Sequence, residues 1–208
     1  MPVNRSHLVL LMLVSLIFLW SGINPYDRFT WILEVFPAVI GLAALALTYR
    51  RFPLTTFSYT LIAIHMVILM IGGHYTYAKV PFFDWLRDSF DLGRNHYDRL
   101  GHLAQGFIPA ILAREILLRL SPLRRGGFLS LLIPCVCLAI SAFYELIEWW
   151  VALATGTAAE AFLGTQGDVW DTQSDMAMAL LGSLLALLTL SNRHDKAMAV
   201  LAEGREKG

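Results

Sequence analysis

The chain has 208 residues, 57% of them apolar and only 15% charged, and its mean hydropathy is +0.58. Ordinary soluble domains carry about 25% charged residues, so this composition excludes one and fits an all-α, polytopic transmembrane helical bundle. Sixteen basic and sixteen acidic residues cancel, which leaves no overall positive charge with which to hold nucleic acid.

A helix needs about 20 mainly apolar residues to cross the hydrocarbon, and the sequence offers six stretches of that kind, at 6–21, 30–49, 53–71, 100–118, 128–152 and 176–190. They predict a single transmembrane domain over 1–192 and a cytoplasmic tail over 193–208. The first stretch, with Arg5 ahead of the run Leu8 to Trp20, has the outline of a signal peptide. Trp20-Ser21-Gly22 lacks small residues at both cleavage positions, so an uncleaved first helix is expected. In the second stretch Glu34 lies one turn inside one end, where it can answer Arg28 or reach polar groups on other helices. In the third, His65 near the middle reads as an interhelical hydrogen-bonding group, and His74 stands at the far end.

The loop over 73–97 sets Lys79, Asp84, Arg87, Asp88 and Asp91 among Phe82, Phe83 and Trp85. That mixture predicts an amphipathic segment in the headgroup plane, and a loop of this length is expected to do work, here as a lid. The fourth stretch carries Gln105, Pro109, Arg114 and Glu115 and is the least apolar, so its polar stripe must face protein. Snorkelling accounts for Arg114, two turns inside the helix end. In the fifth, Cys135 and Cys137 would point about 200° apart on a helix, so no intrachain disulfide is expected and both read as packing residues. No internal repeat is visible.

Lys and Arg near the helix ends give the orientation. Arg5, Arg50, Arg51, Arg119, Arg124, Arg125, Arg193, Lys196, Arg205 and Lys207 fall on one side, against Arg28, Lys79, Arg87, Arg94 and Arg99 on the other. Both termini are therefore expected in the cytoplasm of a bacterial inner-membrane protein. Trp31, Trp85, Trp149, Trp150 and Trp170 then sit at outer helix ends, where amphipathic rings settle.

This topology brings three polar segments to the outer surface. Arg94, His96, Asp98, Arg99, His102 and Gln105 lead into the fourth stretch, with Asp98 and His102 one turn apart on one stripe. Glu145 and Glu148 close the fifth, and Asp168, Asp171 and Asp175 enter the sixth. His74 is able to join them. A carboxylate toward the centre of a spanning helix costs about 2.5 to 3.5 kcal/mol on insertion scales, so these acids need partners. Glu145 and Glu148 need them most, because they lie at a helix C-terminus, where the dipole opposes an anion.

Four readings compete. Imidazole and carboxylates on facing helices suit a divalent metal such as Zn or Mn, held by Asp98, His102, Glu145, Glu148, Asp171 and Asp175. Its bound water would make the protein a metal-dependent membrane hydrolase acting on a lipid or envelope precursor. Alternatively Arg94, Arg99, His74, His96 and Asp168 bind a lipid phosphate or cell-envelope precursor, with Arg87 as a further clamp. Ion-coupled transport is the third, opposed by the scarcity of ionisable groups in the inner half of the bundle. The fourth is a purely structural network locking the last three helices together.

The segments His74-Tyr75-Thr76-Tyr77, Pro81-Phe82, His96-Tyr97-Asp98-Arg99 with His102, Tyr144-Glu145-Leu146-Ile147-Glu148-Trp149 and Gly167-Asp168-Val169-Trp170-Asp171-Thr172-Gln173-Ser174-Asp175-Met176 resemble the YjdF family of bacterial inner-membrane proteins. The resemblance runs over nearly the whole chain and implies a polytopic inner-membrane protein, without assigning a function. A looser likeness is to VanZ-like membrane proteins, through Asp98-Arg99-Leu100-Gly101-His102, Glu145, and Asp171 to Asp175 with Gly182. That likeness implies a role near envelope lipids or peptidoglycan precursors. The chain departs from the VanZ-like pattern at Glu148 and Asp168, where that family usually carries a Gln after the Glu and an Arg ahead of the last Asp.

Overall fold

The computed structural model describes residues 4–156 and 160–206, so Lys207, counted above among the basic tail residues, lies outside the described residues. The described chain is helical, without strands: α1 (Arg5–Ser21), α2 (Arg28–Thr48), α3 (Thr56–Tyr75), α4 (Pro81–Phe90), α5 (Tyr97–Leu120), α6 (Gly127–Thr155), α7 (Glu160–Leu163) and α8 (Asp171–Glu206). Capping explains several starts. The side chains of Asn4, Asp27 and Thr55 accept hydrogen bonds from the backbone N–H groups of Ser6, Thr30 and Ser58, which satisfies donors that the first helical turn leaves free. Thr55 thus moves the start of α3 past Pro53, three residues later than apolarity alone predicts.

By length and composition, α2, α3, α6 and α8 can cross a membrane, and α1 is apolar but shorter. α5 has 24 residues and carries the charges expected to face inward, and Asp98, His102, Arg114 and Glu115 are indeed buried. It is the centre of the bundle, packed against α3, α6 and α8, while α1 and α2 pack on α3.

The α5–α8 pair is the tightest joint. Gly106 faces the Ala179 carbonyl and Gly182 faces the Leu103 carbonyl so closely that a Cβ at either glycine would overlap backbone. Small residues at a crossing let two helices gain contact in lipid, where no hydrophobic force drives them together. Toward the C-terminal end of α5, helices α5, α6 and α8 together enclose an apolar core of Ala110, Ile111, Leu129, Ile133, Cys137 and Ala186. Cys135 is exposed and Cys137 buried, both as free thiols.

The last helix departs most from the sequence reading. Instead of ending near residue 190 with a separate tail, α8 runs to Glu206. No glycine or proline stands between Gly182 and Gly204 to stop it. His194, the second residue of the expected tail, is 0% exposed. Arg114 does not snorkel either: its Nη1 lies 2.9 Å from His194 Nδ1 and its Nη2 2.7 Å from Asp195 Oδ1.

Candidate metal centre

Asp98 and His102 sit one turn apart at the start of α5, Asp175 at the start of α8, and Glu145 toward the end of α6. The close α5–α8 joint below fixes the first three relative to one another. Asn95 fixes them from above. It is fully buried; its Nδ2 donates to the Val80 carbonyl and to Asp84 Oδ1 at 3.1 and 3.0 Å, and its backbone exchanges two hydrogen bonds of 2.9 Å with the Gln166 side chain. The segment expected to form a lid is thus a short helix, α4, tied to the loop before α8. Phe82, Trp85 and Phe90 on α4 remain exposed, as an interfacial helix requires.

Four groups converge. His102 Nε2 lies 3.7 Å from Asp98 Oδ1, 3.8 Å from Glu145 Oε1 and 3.9 Å from Asp175 Oδ2. Ligand atoms of Asp98, His102 and Asp175 all lie within 4.8 Å of one another. Glu145 Oε1 and His102 Nδ1 are buried without a hydrogen-bond partner, although their residues are only 8% and 6% exposed. Buried polar atoms are normally paired, so the Glu145 oxygen that faces His102 Nε2 and the other imidazole nitrogen, Nδ1, both require an explanation.

Two arginines frame the group from outside. Arg94 Nη1 donates to Asp171 Oδ1 at 2.5 Å, and its Nη2 approaches Asp98 Oδ2 at 3.4 Å. Arg99 Nη1 donates to Asp175 Oδ1 at 2.7 Å, and its Nη2 donates to Asp168 Oδ2 at 2.8 Å and Asp171 Oδ1 at 3.0 Å. Asp98 and Asp175 therefore each give one oxygen to a guanidinium and turn the other toward His102. This is how outer groups orient metal ligands. Asp171 is spent on the arginines. Asp168, outside the helices, is held below the usual carboxylate range, first by the Trp170 backbone N–H at 2.9 Å and then by both guanidiniums.

The remaining candidates lie apart. Glu148 is half-buried, within electrostatic reach of Glu145, Glu34 and Asp98, and makes no ion pair among the described residues. His74 does not join the cluster: it stacks on Trp20 with centroids 4.6 Å apart, and its Nδ1 lies 3.0 Å from the Ser21 carbonyl, so it serves the α1–α3 contact. His96 is the N-cap of α5 without a side-chain capping bond. Arg87 is engaged by Asp84 and Asp88 on its own helix, at 2.7 and 2.9 Å.

Glu34 reaches the cluster's edge rather than Arg28: Tyr144 Oη donates to its Oε2 at 3.3 Å. This bond spans a seam, because α2 and α6 share no extensive packing. One turn deeper than the cluster, Gln105 Oε1, Ser141 Oγ and His65 Nε2 are also buried without partners. His65, expected to bond across helices, makes no such bond through Nε2.

Arg94 and Arg99 face four carboxylates, Asp98, Asp168, Asp171 and Asp175, and Glu145 has no guanidinium partner among the described residues, so acidic groups outnumber basic ones at the centre. The chemistry fits a divalent cation. Zn or Mn at about 2.0 to 2.2 Å from each donor would set neighbouring donors roughly 3 to 3.5 Å apart, so the 3.7 to 3.9 Å separations from His102 Nε2 would close by a few tenths of an ångström, whereas the three-residue group within 4.8 Å, Asp98, His102 and Asp175, does not include Glu145.

Sequence comparison agrees with this architecture. The family described as "Predicted membrane protein (DUF2238)" matches residues 6–196. "Inner membrane protein YjdF" of Escherichia coli (strain K12) is 52% identical over 191 residues, covering 92% of this chain and 90% of that protein. No solved structure matches. A match from the first helix into the extension of the last, with half the residues identical to a full-length relative, assigns the chain to the DUF2238 family of membrane proteins.

Proposed function

We propose that this is a six-span protein of the bacterial inner membrane, with both termini cytoplasmic, whose outer face holds a divalent cation of the Zn or Mn class on Asp98, His102, Asp175 and Glu145. The six spans are α1, α2, α3, α5, α6 and α8. α5 counts because its charges are buried against neighbours instead of meeting lipid.

One observation carries the metal reading: three carboxylate oxygens from three helices point at one imidazole nitrogen from 3.7 to 3.9 Å. Those distances are beyond hydrogen-bonding reach. A network evolved only to lock helices would close them, as the arginine–aspartate pairs beside it are closed. Direct capture of a phosphate by Arg94 and Arg99 is less well supported, because the Nη atoms of both already face aspartates. A phosphate or envelope precursor would instead approach the ion.

The seam between α2 and α6 favours a second step, hydrolysis. Bridged by the Tyr144–Glu34 bond and flanked by α7, which packs on both helices, it would be the lateral way to the cation for a membrane-lodged ester or phosphoester. A divalent cation held there would supply the Lewis acidity that activates water for such a hydrolysis, and Glu148, half-buried and without an ion pair among the described residues, would be the carboxylate to accept the proton.

Metal analysis of protein purified in detergent tests the binding claim. Wild type and Glu148→Gln are expected to retain about one Zn or Mn per chain, and His102→Ala to lose it. Wild-type protein without bound metal after incubation with either ion would refute the reading.

A further inference from the structure

A second site lies at the opposite end of the bundle and is independent of the metal centre. α1 and α2 both pack on α3 but touch each other mainly near one end, where Trp31 Nε1 donates to Ser21 Oγ at 3.1 Å and the Phe18 and Trp31 rings lie 5.8 Å apart. Toward the other end they diverge. The wedge holds a half-open cavity of about 330 Å³ walled by Leu11, Val14, Leu42, Leu45, Ala63 and Met66. That is the size range of genuine ligand pockets.

Its end is polar. His7 closes it, with Nδ1 2.8 Å from Tyr49 Oη and Nε2 3.0 Å from Thr56 Oγ1, and the His7 ring lies 4.5 Å from that of Tyr59. Arg5 stands two residues before His7, and Arg50 and Arg51 directly follow Tyr49. All three arginines are exposed, and among the described residues none forms an ion pair. An apolar slot between membrane helices, a ring of hydrogen-bonding groups at its mouth and three uncommitted cations beyond it make a graded surface. An amphipathic anion with a hydrocarbon chain matches all three parts.

We infer that this wedge is a binding site for an anionic phospholipid, with an acyl chain between α1 and α2 and the phosphate at Arg5, Arg50 and Arg51. The arginines alone would attract anionic lipid loosely, as any juxtamembrane basic cluster does. The cavity converts that attraction into a site with defined occupancy. It also accounts for the divergence of α1 from α2, since an empty apolar slot forfeits the contacts of its walls.

Native mass spectrometry of the full chain, delipidated in detergent and offered phosphatidylglycerol or phosphatidylcholine, tests this. Wild type is expected to retain one phosphatidylglycerol, with at least about tenfold preference over phosphatidylcholine. Ala63→Phe, which fills the slot, should abolish retention. The double variant Arg50→Gln/Arg51→Gln changes only exposed residues, so its folding is not at risk; it should lose the preference while keeping weak binding of both lipids. Equal retention of the two lipids by wild type would overturn the inference, as would unchanged retention in Ala63→Phe. So would a lipid-free dimer that Ala63→Phe dissociates, because the slot would then belong to a second copy.

Discussion

Two buried polar centres hang on α5, roughly 20 Å apart along its axis from His102 to Glu115, and they are finished differently. At the end proposed to face the cytoplasm, Glu115 is 0% exposed and both of its oxygens are used. Oε1 accepts from the Thr55 backbone N–H at 2.9 Å and Arg119 Nη1 at 2.6 Å; Oε2 accepts from Ser58 Oγ at 2.6 Å and Thr55 Oγ1 at 2.9 Å, and His194 Nε2 stands 3.1 Å away. A carboxylate has about four lone-pair sites, and here they are filled. At the end proposed to face outward, Glu145 Oε1 is buried without a hydrogen-bond partner 3.8 Å from His102 Nε2, and the other imidazole nitrogen, Nδ1, is unpaired as well. A saturated carboxylate holds helices together and has nothing left for a ligand. An unsaturated one, kept in place by neighbouring arginine–aspartate pairs, is free to bind.

The contrast can be broken at several levels. Gly106→Val should have the largest effect, because its side chain would meet the Ala179 backbone and part the helices that carry both centres. Overpacking ordinarily costs about 1 to 3 kcal/mol, and a clash with backbone at a membrane crossing should exceed that. Loss of folded protein from detergent extracts measures it. Glu115→Ala comes next, at about 3 to 5 kcal/mol, the usual result of stripping one partner from a buried charged network. Its reduced unfolding temperature should be independent of added metal.

His102→Ala should cost only about 1 kcal/mol in metal-free protein, since His102 makes no close hydrogen bond to lose. The variant should instead forfeit stabilisation by ligand, which for wild type reaches about 2.7 kcal/mol at a metal concentration a hundred times Kd. A thermal-shift series with and without Mn separates these contributions. If His102→Ala destabilised metal-free protein as much as Glu115→Ala, the two centres would be the same kind of object. The smallest effect is at Asp168. Its carboxyl is held below the ordinary value, so the stability it adds is present above the unfolded-state pKa of about 4 and is lost as pH falls through the lower folded value. Asp168→Asn should remove this small contribution at neutral pH, leave stability unchanged below the folded-state pKa, and so flatten the acid limb of the profile slightly.

Much of the outer centre was legible in the sequence. The spacing of Asp98 and His102 put both on one stripe, and loop charges brought Glu145 and Asp175 to the same level of the membrane. Level is not facing, however. His74 shares that height but points at Trp20, because the α1–α3 contact, invisible in a single sequence, decides which side of α3 is turned where. The division of labour among the acids was also hidden: Asp171 and Asp175 are one turn apart, yet Asp171 is committed to the two arginines and Asp175 turns one oxygen toward His102.

The inner centre escaped the sequence reading for another reason. Arg193, Lys196 and Arg205 make the end of the chain look like a solvated basic tail. His194 is buried only because its partners Arg114 and Glu115 lie some eighty residues earlier. The one available signal was the lack of any glycine or proline from 183 to 203, which lets α8 continue. Arg114, assigned to snorkelling, belongs to the same network.

The most direct test of the difference between the centres is a calorimetric titration of Mn into three purified proteins: wild type, His102→Ala and Ser58→Ala, the last losing one hydrogen bond of the inner network. One binding site in wild type and Ser58→Ala with no binding in His102→Ala is the expected result. Binding that survives His102→Ala, or that disappears in Ser58→Ala while the protein stays folded, would contradict an outer centre built to hold the ion.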